Sequence, residues 1–547
     1  MKKHKIYLPV IIICILIQSC KVKRMNKEAN EIIGKMTLEQ KIGQMIVIGI
    51  PGKSMNKRTL GMIKKIKPGG VILFGFNIKS EKQLKDYIGH IQEASMMYTG
   101  LPLFVSIDQE GGRVKRITDG VTQFPGNMAA GVVNEPSLVY KWGRILGMEL
   151  RKIGVNMNFA PVLDVNNNPH NPVINSRSFG SNERIVSKLG RKYIKGIQES
   201  FCIAVGKHFP GHGDTNKDSH KTLPVINFKL NRLKRIEFPP FIEAIDEGCE
   251  GIMTAHISFP RILKNNVPAT ISEYFLSDVL RKEMNFKGLV ITDAMEMKAI
   301  SRKMDIGIAS VKSIKAGADI VLLTSYGGNA KKIYAAIRDA VQKGEIPVKR
   351  IDESLKRLIE IKVRYKIAEY KKGKISIGKV KYGKEELKLL KDGESVNKSI
   401  SRGSLYYRGD SKLLSPGFKG KRIIFSKNKI LRDYINIKNN YSVLPAISGL
   451  MSMKVSNSDN AILFYHVGKL HSASLKRVIS ICKKRKINLV ILSTGNPFPL
   501  IQAFGDQSAL FSFSHTEESL RQVALCINGK FKPKSKINFY MGVDDTK

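Results

Sequence analysis

Between about residues 40 and 365, short apolar runs alternate with longer segments whose apolar residues recur at helical spacing. Eight of the short runs have strand length and end near glycine or polar residues. They predict strands over residues 42–50, 70–75, 101–107, 156–162, 203–206, 251–255, 288–292 and 319–323. Helices are predicted between them, for example over residues 81–95, 136–151, 230–247 and 273–284.

Eight strands that alternate with helices favour a closed (β/α)8 barrel over an open doubly wound sheet. In such barrels, functional residues lie just past the C-terminal ends of the strands. Polar residues hold those places here: residues 108–113 follow the third run, Lys207 and His208 the fifth, and Asp293 the seventh. We therefore predict a catalytic TIM-type barrel over residues 36–366.

The remainder of the chain predicts a linker and a second domain. Residues 367–395 are rich in Lys, Gly and Glu and have little apolar periodicity, which is typical of a basic linker. Residues 396–547 again alternate strand-like runs with helical patterns, which indicates a smaller αβα sandwich with a largely parallel sheet. The glycine-rich motifs that bind nucleotide phosphates are absent from this sequence.

The N-terminus has the features of a bacterial export signal. The first residues are cationic, and the apolar stretch over residues 6–17 is too short to span a bilayer stably. The following Ile-Gln-Ser-Cys at residues 17–20 resembles the lipobox of bacterial lipoproteins. This resemblance implies a signal peptide over residues 1–19, a lipid on Cys20 and a tether over residues 20–35. The protein would then be anchored to a membrane of the cell envelope, outside the cytoplasm; a plain signal peptide remains the alternative.

Composition excludes several classes of protein. With 42% hydrophobic and 25% charged residues, the chain is neither disordered nor a polytopic membrane protein. Lys plus Arg number 92 against 46 Asp plus Glu, a net charge of +46. This charge favours anionic partners or reflects a lysine-rich proteome. The lysines are spread along the chain without a nucleic-acid-binding motif, so no nucleic-acid partner is expected.

One loop-like segment, residues 206–220, concentrates three His, two Asp and two Lys. A metal site is conceivable, but the histidines lack the helical pairing of zinc motifs, and we predict no metal. Asp218 and His220 suggest sharper chemistry. A carboxylate two residues from an imidazole can fix its tautomer and leave the other nitrogen free for proton transfer. A histidine that only hydrogen bonds within the loop is the alternative.

Asp293 is the second candidate, because a carboxylate at the end of a buried barrel strand faces the barrel mouth. There it can act as a nucleophile toward an electrophilic carbon. Its ordinary alternative is an N-cap of the following helix. His256 ends another predicted strand and is a weaker candidate for the wall of the same pocket.

Together with residues 69–74, 108–114, 158–165 and 176–180, these segments resemble glycoside hydrolase family 3. The run Lys-His-Phe-Pro-Gly-His-Gly-Asp-Thr, with Asp-Ser-His downstream, is specific to its β-N-acetylglucosaminidase branch. The resemblance covers about residues 35 to 365 in order, and the second domain resembles the family's C-terminal domain more weakly.

The resemblance implies a retaining, two-step hydrolysis without a cofactor. Asp293 matches the nucleophile, and His220 matches the acid/base, oriented by Asp218. The residues that match the sugar-binding positions are Asp108, Arg177, Lys207 and His208. The implied substrate is an oligosaccharide, either a muropeptide or a chitooligosaccharide, from which terminal non-reducing β-linked N-acetylglucosamine is removed.

Three alternatives remain open from the sequence. A β-glucosidase or β-xylosidase of the same family usually takes its acid/base carboxylate from the second domain. A phosphorylase would tolerate a histidine acid/base, because the incoming phosphate meets no second carboxylate. A non-catalytic glycan-binding lipoprotein would have lost the nucleophile or the acid/base pair, and both are present here.

Overall fold

The computed structural model describes residues 26–219, 221–371, 374–415, 418, 420–436, 441–444, 461–467, 472–504 and 506–536. Two residues of the sequence-based hypothesis, Cys20 and His220, lie outside these described residues.

The first domain is the predicted barrel. Its strands are β1 (Ile46–Gly49), β2 (Gly70–Leu73), β3 (Phe104–Ile107), β4 (Met157–Asn158), β5 (Ile203–Phe209), β6 (Gly251–Thr254), β7 (Leu289–Ile291) and β8 (Val321–Leu322). Each strand pairs in parallel with the next along the chain, and β8 pairs with β1. A parallel bridge between Ile291 and Ile320 joins β7 to β8 and closes the barrel. This confirms the predicted fold class.

The barrel is filled by apolar side chains, as its buried strand pattern requires. Val47, Ile72 and Phe104 lie in the interior with matching residues from the other strands. Leu358 and Ile361 from the helix Val348–Arg364 join the same cluster. The interior is therefore a packed core, which leaves the loops after the strands to form a functional site.

Helices surround the barrel and follow the predicted alternation. Their bounds are Leu38–Gln44, Lys57–Ile66, Glu81–Thr99, Asn127–Val133, Pro136–Ile153, Glu183–Glu199, Leu230–Ile236, Pro239–Asp246, Pro260–Leu263, Lys298–Ser301, Ile306–Ala316, Gly328–Gln342 and Val348–Arg364. A further helical segment, Tyr274–Glu283, has π-type hydrogen bonding. Another helix covers residues 26–34.

The first predicted strand began too early. Residues up to Gln44 belong to the helix Leu38–Gln44, and β1 starts at Ile46. Thr37 caps this helix with Gln40 in a reciprocal capping box, which satisfies two backbone N–H groups at its start. The apolar residues before Ile46 therefore belong to the end of a short helix that packs against β1 and against the helices Gly328–Gln342 and Val348–Arg364.

The second domain is built around a six-stranded sheet of mixed direction. Its strands are β11 (Tyr406–Arg408), β12 (Lys421–Phe425), β13 (Tyr441–Leu444), β14 (Ala461–Val467), β15 (Asn488–Ser493) and β16 (Ala509–Phe511). In the sheet they lie in the order β11-β16-β15-β14-β12-β13. All pairings are parallel except that of β11 with β16. The helices here are Lys429–Asn436, Ser472–Lys484, Phe498–Phe504 and Glu517–Ile527.

Between the two domains, the region expected to be a linker contains secondary structure. Strands β9 (Ala368–Lys371) and β10 (Lys374–Ile377) form an antiparallel pair, and the helices Lys384–Lys391 and Gly393–Gly403 follow. An ion pair of 3.3 Å joins Glu386 of the first of these helices to Arg144 of the barrel. The second domain therefore packs on the barrel through this region.

Across the described part of the chain, the helices are too short or too polar to cross a membrane.

Candidate active site

A cavity of about 450 Å³ opens at the C-terminal ends of the barrel strands. Its size suits a small ligand rather than a polymer. The polar residues that line it are Asp108, Arg113, Arg116, Arg177, Lys207, His208, His212, Asp218, Ser219, Asp293 and Thr324. The apolar lining includes Ile72, Phe74, Phe159, Met253, Met297 and Leu322. Six of the sequence candidates therefore face one cavity, whereas His256, the weaker candidate for its wall, does not line it.

A buried ionic network forms one wall of this cavity. Arg177 donates two hydrogen bonds to Glu110, of 2.9 and 2.8 Å, in a bidentate pair. Lys207 Nζ lies 2.7 Å from Glu110 Oε1 and 2.8 Å from Asp108 Oδ1. Arg116 contacts the other oxygen of Asp108 at 3.4 Å. The network holds three cations and one carboxylate at the cavity surface: Arg116, Arg177, Lys207 and Asp108.

Glu110 is the centre of this network, and its side chain is only 2% exposed. Burial alone would raise the pKa of Glu110, but the charges of Arg177 and Lys207 outweigh burial and hold that pKa well below its usual value. The carboxylate therefore remains ionised. We infer that Glu110 orients Arg177 and Lys207, while Asp108 and these two cations face the ligand.

Asp164 orients His208 in the same way. Its buried carboxylate accepts from the Nδ1 of His208 at 2.7 Å and from the backbone N–H of the same residue at 3.2 Å. The Nε2 of His208 then faces Arg177, 3.4 Å away. The Oδ1 of Asp164 also accepts a hydrogen bond from the backbone N–H of His212, at 2.6 Å. The imidazole is thus fixed in one orientation.

The stability conferred by Asp164 is expected to depend on pH. Burial alone would raise the pKa of Asp164, but His208 and His212 outweigh burial and lower it. Because the folded-state pKa is below the unfolded value, this stabilisation is complete above about pH 4 and disappears as the pH falls through the folded-state pKa. We expect Asp164→Asn to destabilise the protein at pH 6 and progressively less below pH 4.

Urea unfolding of the wild type and of Asp164→Asn, at intervals from pH 6 to pH 2.5, measures this difference. A gap in the free energy of unfolding that stays constant, or that widens toward acid, would contradict the assigned ionisation of Asp164.

Asp293 lies just past β7 and lines the cavity. Its Oδ1 accepts from the backbone N–H of Ala294 at 2.7 Å. The next helix begins only at Lys298, with Met297 at its N-cap, so Asp293 is not the N-cap that sequence offered as its alternative role. His256 is fully buried behind this wall and hydrogen bonds to the carbonyl of Ala294 at 3.0 Å.

The environment of Asp293 keeps this carboxylate ionised. Burial favours the neutral form, but His256, His208, Lys207 and the Ala294 N–H outweigh it and lower the pKa of Asp293. An ionised, partly desolvated carboxylate near Lys207 in a polar cavity is suited to attack an electrophilic carbon centre.

The loop after β5 brings Asp218 and Ser219 to the cavity, where both line its wall. The negative charge of Asp218 acts on Arg113 across the cavity mouth. Since His220 lies outside the described residues, the pairing of Asp218 with His220 stays a prediction.

The described histidines of this segment do not form the conceivable metal site. The nitrogens of His208 contact Asp164 and Arg177, and those of His212 contact hydroxyl groups of Thr215 and Ser219. Within the described ranges, moreover, no cluster of three His, Cys, Asp or Glu side chains is arranged to hold a metal ion.

The second domain approaches one residue of the cavity wall. The loop after β16 carries His515, whose pKa is lowered by burial and by the charges of Lys115 and Arg113. Arg113 itself lines the cavity.

Three functional positions escaped the sequence analysis: Glu110, Asp164 and His212. Each lies within a segment that was recognised. Glu110 and Asp164 hold neighbouring side chains and do not line the cavity, whereas His212 lines it and also contacts Ser219. The sequence signal available for Glu110 was its place in the run Asp108-Gln109-Glu110. Successive side chains of an extended chain point to opposite sides, so those of Asp108 and Glu110 are expected on the same side.

A closed barrel with an ionised aspartate and buried cations in one small polar cavity at its strand ends has the architecture of a barrel enzyme. The chain belongs to glycosyl hydrolase family 3. The family's N-terminal domain, described as "Glycosyl hydrolase family 3 N terminal domain", matches residues 37–361.

Relatives of this chain carry the name beta-hexosaminidase. Beta-hexosaminidase A of Pseudoalteromonas piscicida is 35% identical over 325 residues, which cover 55% of this chain and 54% of the relative. The chain thus spans about half the length of that protein. Beta-hexosaminidase of Methylobacillus flagellatus is 31% identical over 303 residues, covering 54% of this chain and 85% of the relative.

Among solved structures, the chain resembles a glycoside hydrolase family 3 beta-N-acetylglucosaminidase from Paenibacillus sp. str. FPU-7. The TM-score is 0.81 and the sequence identity is 30%, over 92% of this chain and 99% of that chain. The similarity therefore extends through both domains.

Proposed function

We propose that the protein is an exo-acting β-N-acetylglucosaminidase that hydrolyses terminal non-reducing β-linked N-acetylglucosamine. The observation that carries this proposal is the ionised Asp293 in a small cavity lined by Asp108, Arg177, Lys207 and His208. The names of the relatives, beta-hexosaminidase and beta-N-acetylglucosaminidase, support the acetamido sugar as the substrate.

The cavity walls favour a single sugar residue at the cleaved end. Asp108 can accept hydrogen bonds from sugar hydroxyls, whereas Arg177 and Lys207 donate them. Because Glu110 holds both cations from behind, these groups are positioned before the ligand arrives. A cavity of about 450 Å³ holds one sugar and leaves the leaving group at its mouth, which fits exo action.

The proposed mechanism has two steps. Asp293 attacks the anomeric carbon and forms a glycosyl-enzyme while His220 gives a proton to the leaving oxygen. The same imidazole then takes a proton from water, which attacks the anomeric carbon and releases the sugar with its configuration retained. His220 enters the first step as the imidazolium and leaves it as the neutral imidazole that accepts the proton of water in the second. Neither form carries negative charge near Asp293, so His220 does not oppose the ionisation of the nucleophile.

Initial rates on two aryl glycosides test the proposed function. Purified protein that starts after Cys20 should cleave an aryl N-acetyl-β-glucosaminide much faster than the corresponding aryl β-glucoside. Faster cleavage of the glucoside would favour the β-glucosidase alternative, and acceleration by added phosphate, with a sugar phosphate as product, would favour a phosphorylase. Failure to cleave either glycoside would contradict the proposal.

Replacement of the acid/base should lower but not abolish activity. We expect His220→Ala to reduce kcat/KM on substrates with poor leaving groups by about 10²- to 10⁴-fold, the usual contribution of a general acid/base group. A 2,4-dinitrophenyl leaving group needs little protonation, so formation of the glycosyl-enzyme from it should be affected far less.

Pre-steady-state kinetics on the dinitrophenyl substrate separate the two steps for His220→Ala. A burst followed by slow turnover, which added azide accelerates by attacking the glycosyl-enzyme, is the expected result. Equal losses on both substrates without rescue by azide would remove His220 from the acid/base role.

We also propose that the chain is a lipoprotein held at the cell envelope by a lipid on Cys20. The lipobox-like residues 17–20 support this proposal. Its substrates there would be muropeptides or chitooligosaccharides. Membrane fractionation of the full chain and of Cys20→Ala tests the anchor, since only the variant should be released in soluble form.

A further inference from the structure

One buried imidazole, that of His212, fastens the loop after β5 to the barrel. Its backbone N–H donates to Asp164 Oδ1 at 2.6 Å. Its ring packs edge-on against the ring of His208, with 5.8 Å between the ring centroids. Asp164 also holds His208, so both histidines share one anchor. The ring of His212 is thereby fixed relative to the cavity.

Both nitrogens of this ring contact hydroxyl groups from the same loop. The Nδ1 of His212 lies 2.8 Å from Thr215 Oγ1, and its Nε2 lies 3.1 Å from Ser219 Oγ. The Thr215 hydroxyl donates to the carbonyl of His212 at 3.2 Å, so it accepts the Nδ1–H. The Nε2 is then the acceptor for the hydroxyl proton of Ser219.

The protonation state of the ring fits this arrangement. Burial, and then the charge of His208, lower the pKa of His212 to about 4. The ring is therefore neutral at physiological pH and keeps a lone pair for Ser219.

Ser219 is buried in a stretch that also contains exposed residues. It is 2% exposed, whereas Asn216, Lys217 and Lys221 are exposed. Nearer the start of the loop, Gly213 approaches the barrel so closely that a Cβ on it would lie 1.8 Å from the carbonyl oxygen of Val165. Gly213 and Ser219 thus bring two parts of the loop against the barrel.

We propose that Ser219 is a positioning residue, whose hydrogen bond to His212 docks the segment that carries Asp218 at the cavity wall. This inference rests on the proposed function. Consecutive Cα atoms are about 3.8 Å apart, so fixing Ser219 confines Asp218 beside it. Ser219 therefore acts through Asp218, the proposed partner of the acid/base, and its loss should impair proton transfer more than nucleophilic attack.

Ser219→Ala tests this role on two aryl N-acetyl-β-glucosaminides that differ in leaving group. For a poor leaving group we expect kcat/KM to fall by about 10-fold or more, part of the full effect of losing a general acid. For a dinitrophenyl leaving group, the fall should be about 2-fold or less. Lys217→Ala, an exposed substitution in the same loop, is the matched control and should behave as the wild type on both.

Hydrogen–deuterium exchange provides a readout that does not depend on activity. Peptides that span residues 214–222 should exchange faster in Ser219→Ala than in the wild type, and Lys217→Ala should leave them unchanged. Unchanged exchange in Ser219→Ala would overturn the docking role even if its kinetics changed.

The outcomes separate this inference from the proposed function. If the wild type cleaves both glycosides and Ser219→Ala matches it, or slows both equally, the positioning role is wrong and the function stands. If the wild type cleaves neither glycoside, the proposed function fails, and the catalytic role of Ser219 fails with it whatever the exchange data show.

Discussion

Asp293→Asn is expected to abolish measurable turnover of an aryl N-acetyl-β-glucosaminide, with kcat/KM at least about 10⁴-fold below the wild type. An amide has nearly the same shape as the carboxylate but cannot form the glycosyl-enzyme. The structure strengthens this expectation, because His256, His208 and Lys207 lower the pKa of Asp293 and maintain its charge. Those groups would have no anion to stabilise in the variant.

Three measurements distinguish a lost nucleophile from a damaged site. Calorimetric binding of N-acetylglucosamine should persist in Asp293→Asn, because Asp108, Arg177 and Lys207 are untouched. Asp339→Asn, an exposed and distant change of the same type, should retain wild-type rates. A slowly hydrolysed fluorinated N-acetylglucosaminyl substrate should leave a glycosyl group on Asp293 of the wild type, detectable by mass spectrometry. Label on a different carboxylate would refute the assignment.

The barrel was predictable because its strands are buried on both faces and appear as continuous apolar runs. Where this signal was weak, the prediction was less accurate. The first predicted strand included the end of a helix as well as β1. Ile42 lies in that helix and Met45 is its C-cap, but both are buried and apolar like the strand residues that follow. In the second domain β11, three residues with two tyrosines, gave no strand signal, and it is the antiparallel strand of that sheet.

The candidate site was predictable to the extent that its residues face the cavity. Asp293, Asp108, Lys207 and His208 stand at strand ends, which is where barrel enzymes place their chemistry. The supporting carboxylates were harder to find. Asp164 contacts a residue 44 positions away along the chain, and such a contact depends on the closure of the barrel.

Glu110 extends the same argument, since its partner Arg177 is 67 positions away. A carboxylate between a glutamine and two glycines has no sequence feature that reveals a buried partner. Its role depends on β3 and the loop after β4 lying side by side in the closed barrel. Its importance is therefore a structural prediction, and it can be tested by stability as well as by activity.

Glu110→Gln is expected to cost about 3 to 5 kcal/mol of the free energy of unfolding, because it leaves two cations without their shared anion. Arg177 and Lys207 are held by Glu110 at 2.7 to 2.9 Å, and both Glu110 and Lys207 are 2% exposed. The freed cations should also lose their orientation toward the sugar, so KM should rise together with the fall in kcat/KM.

Glu243→Gln is the matched control for this substitution. Glu243 also pairs with an arginine, Arg191, at 2.9 Å, but the two side chains are 41% and 43% exposed. Solvent screens such a pair, so its loss should cost less than about 1 kcal/mol and leave the kinetics unchanged. Urea unfolding and initial rates of both variants test the contrast between the buried and the exposed pair. Equal, small losses of stability would show that burial of Glu110 does not make its network structurally essential, and the positioning of Arg177 and Lys207 would then need another cause.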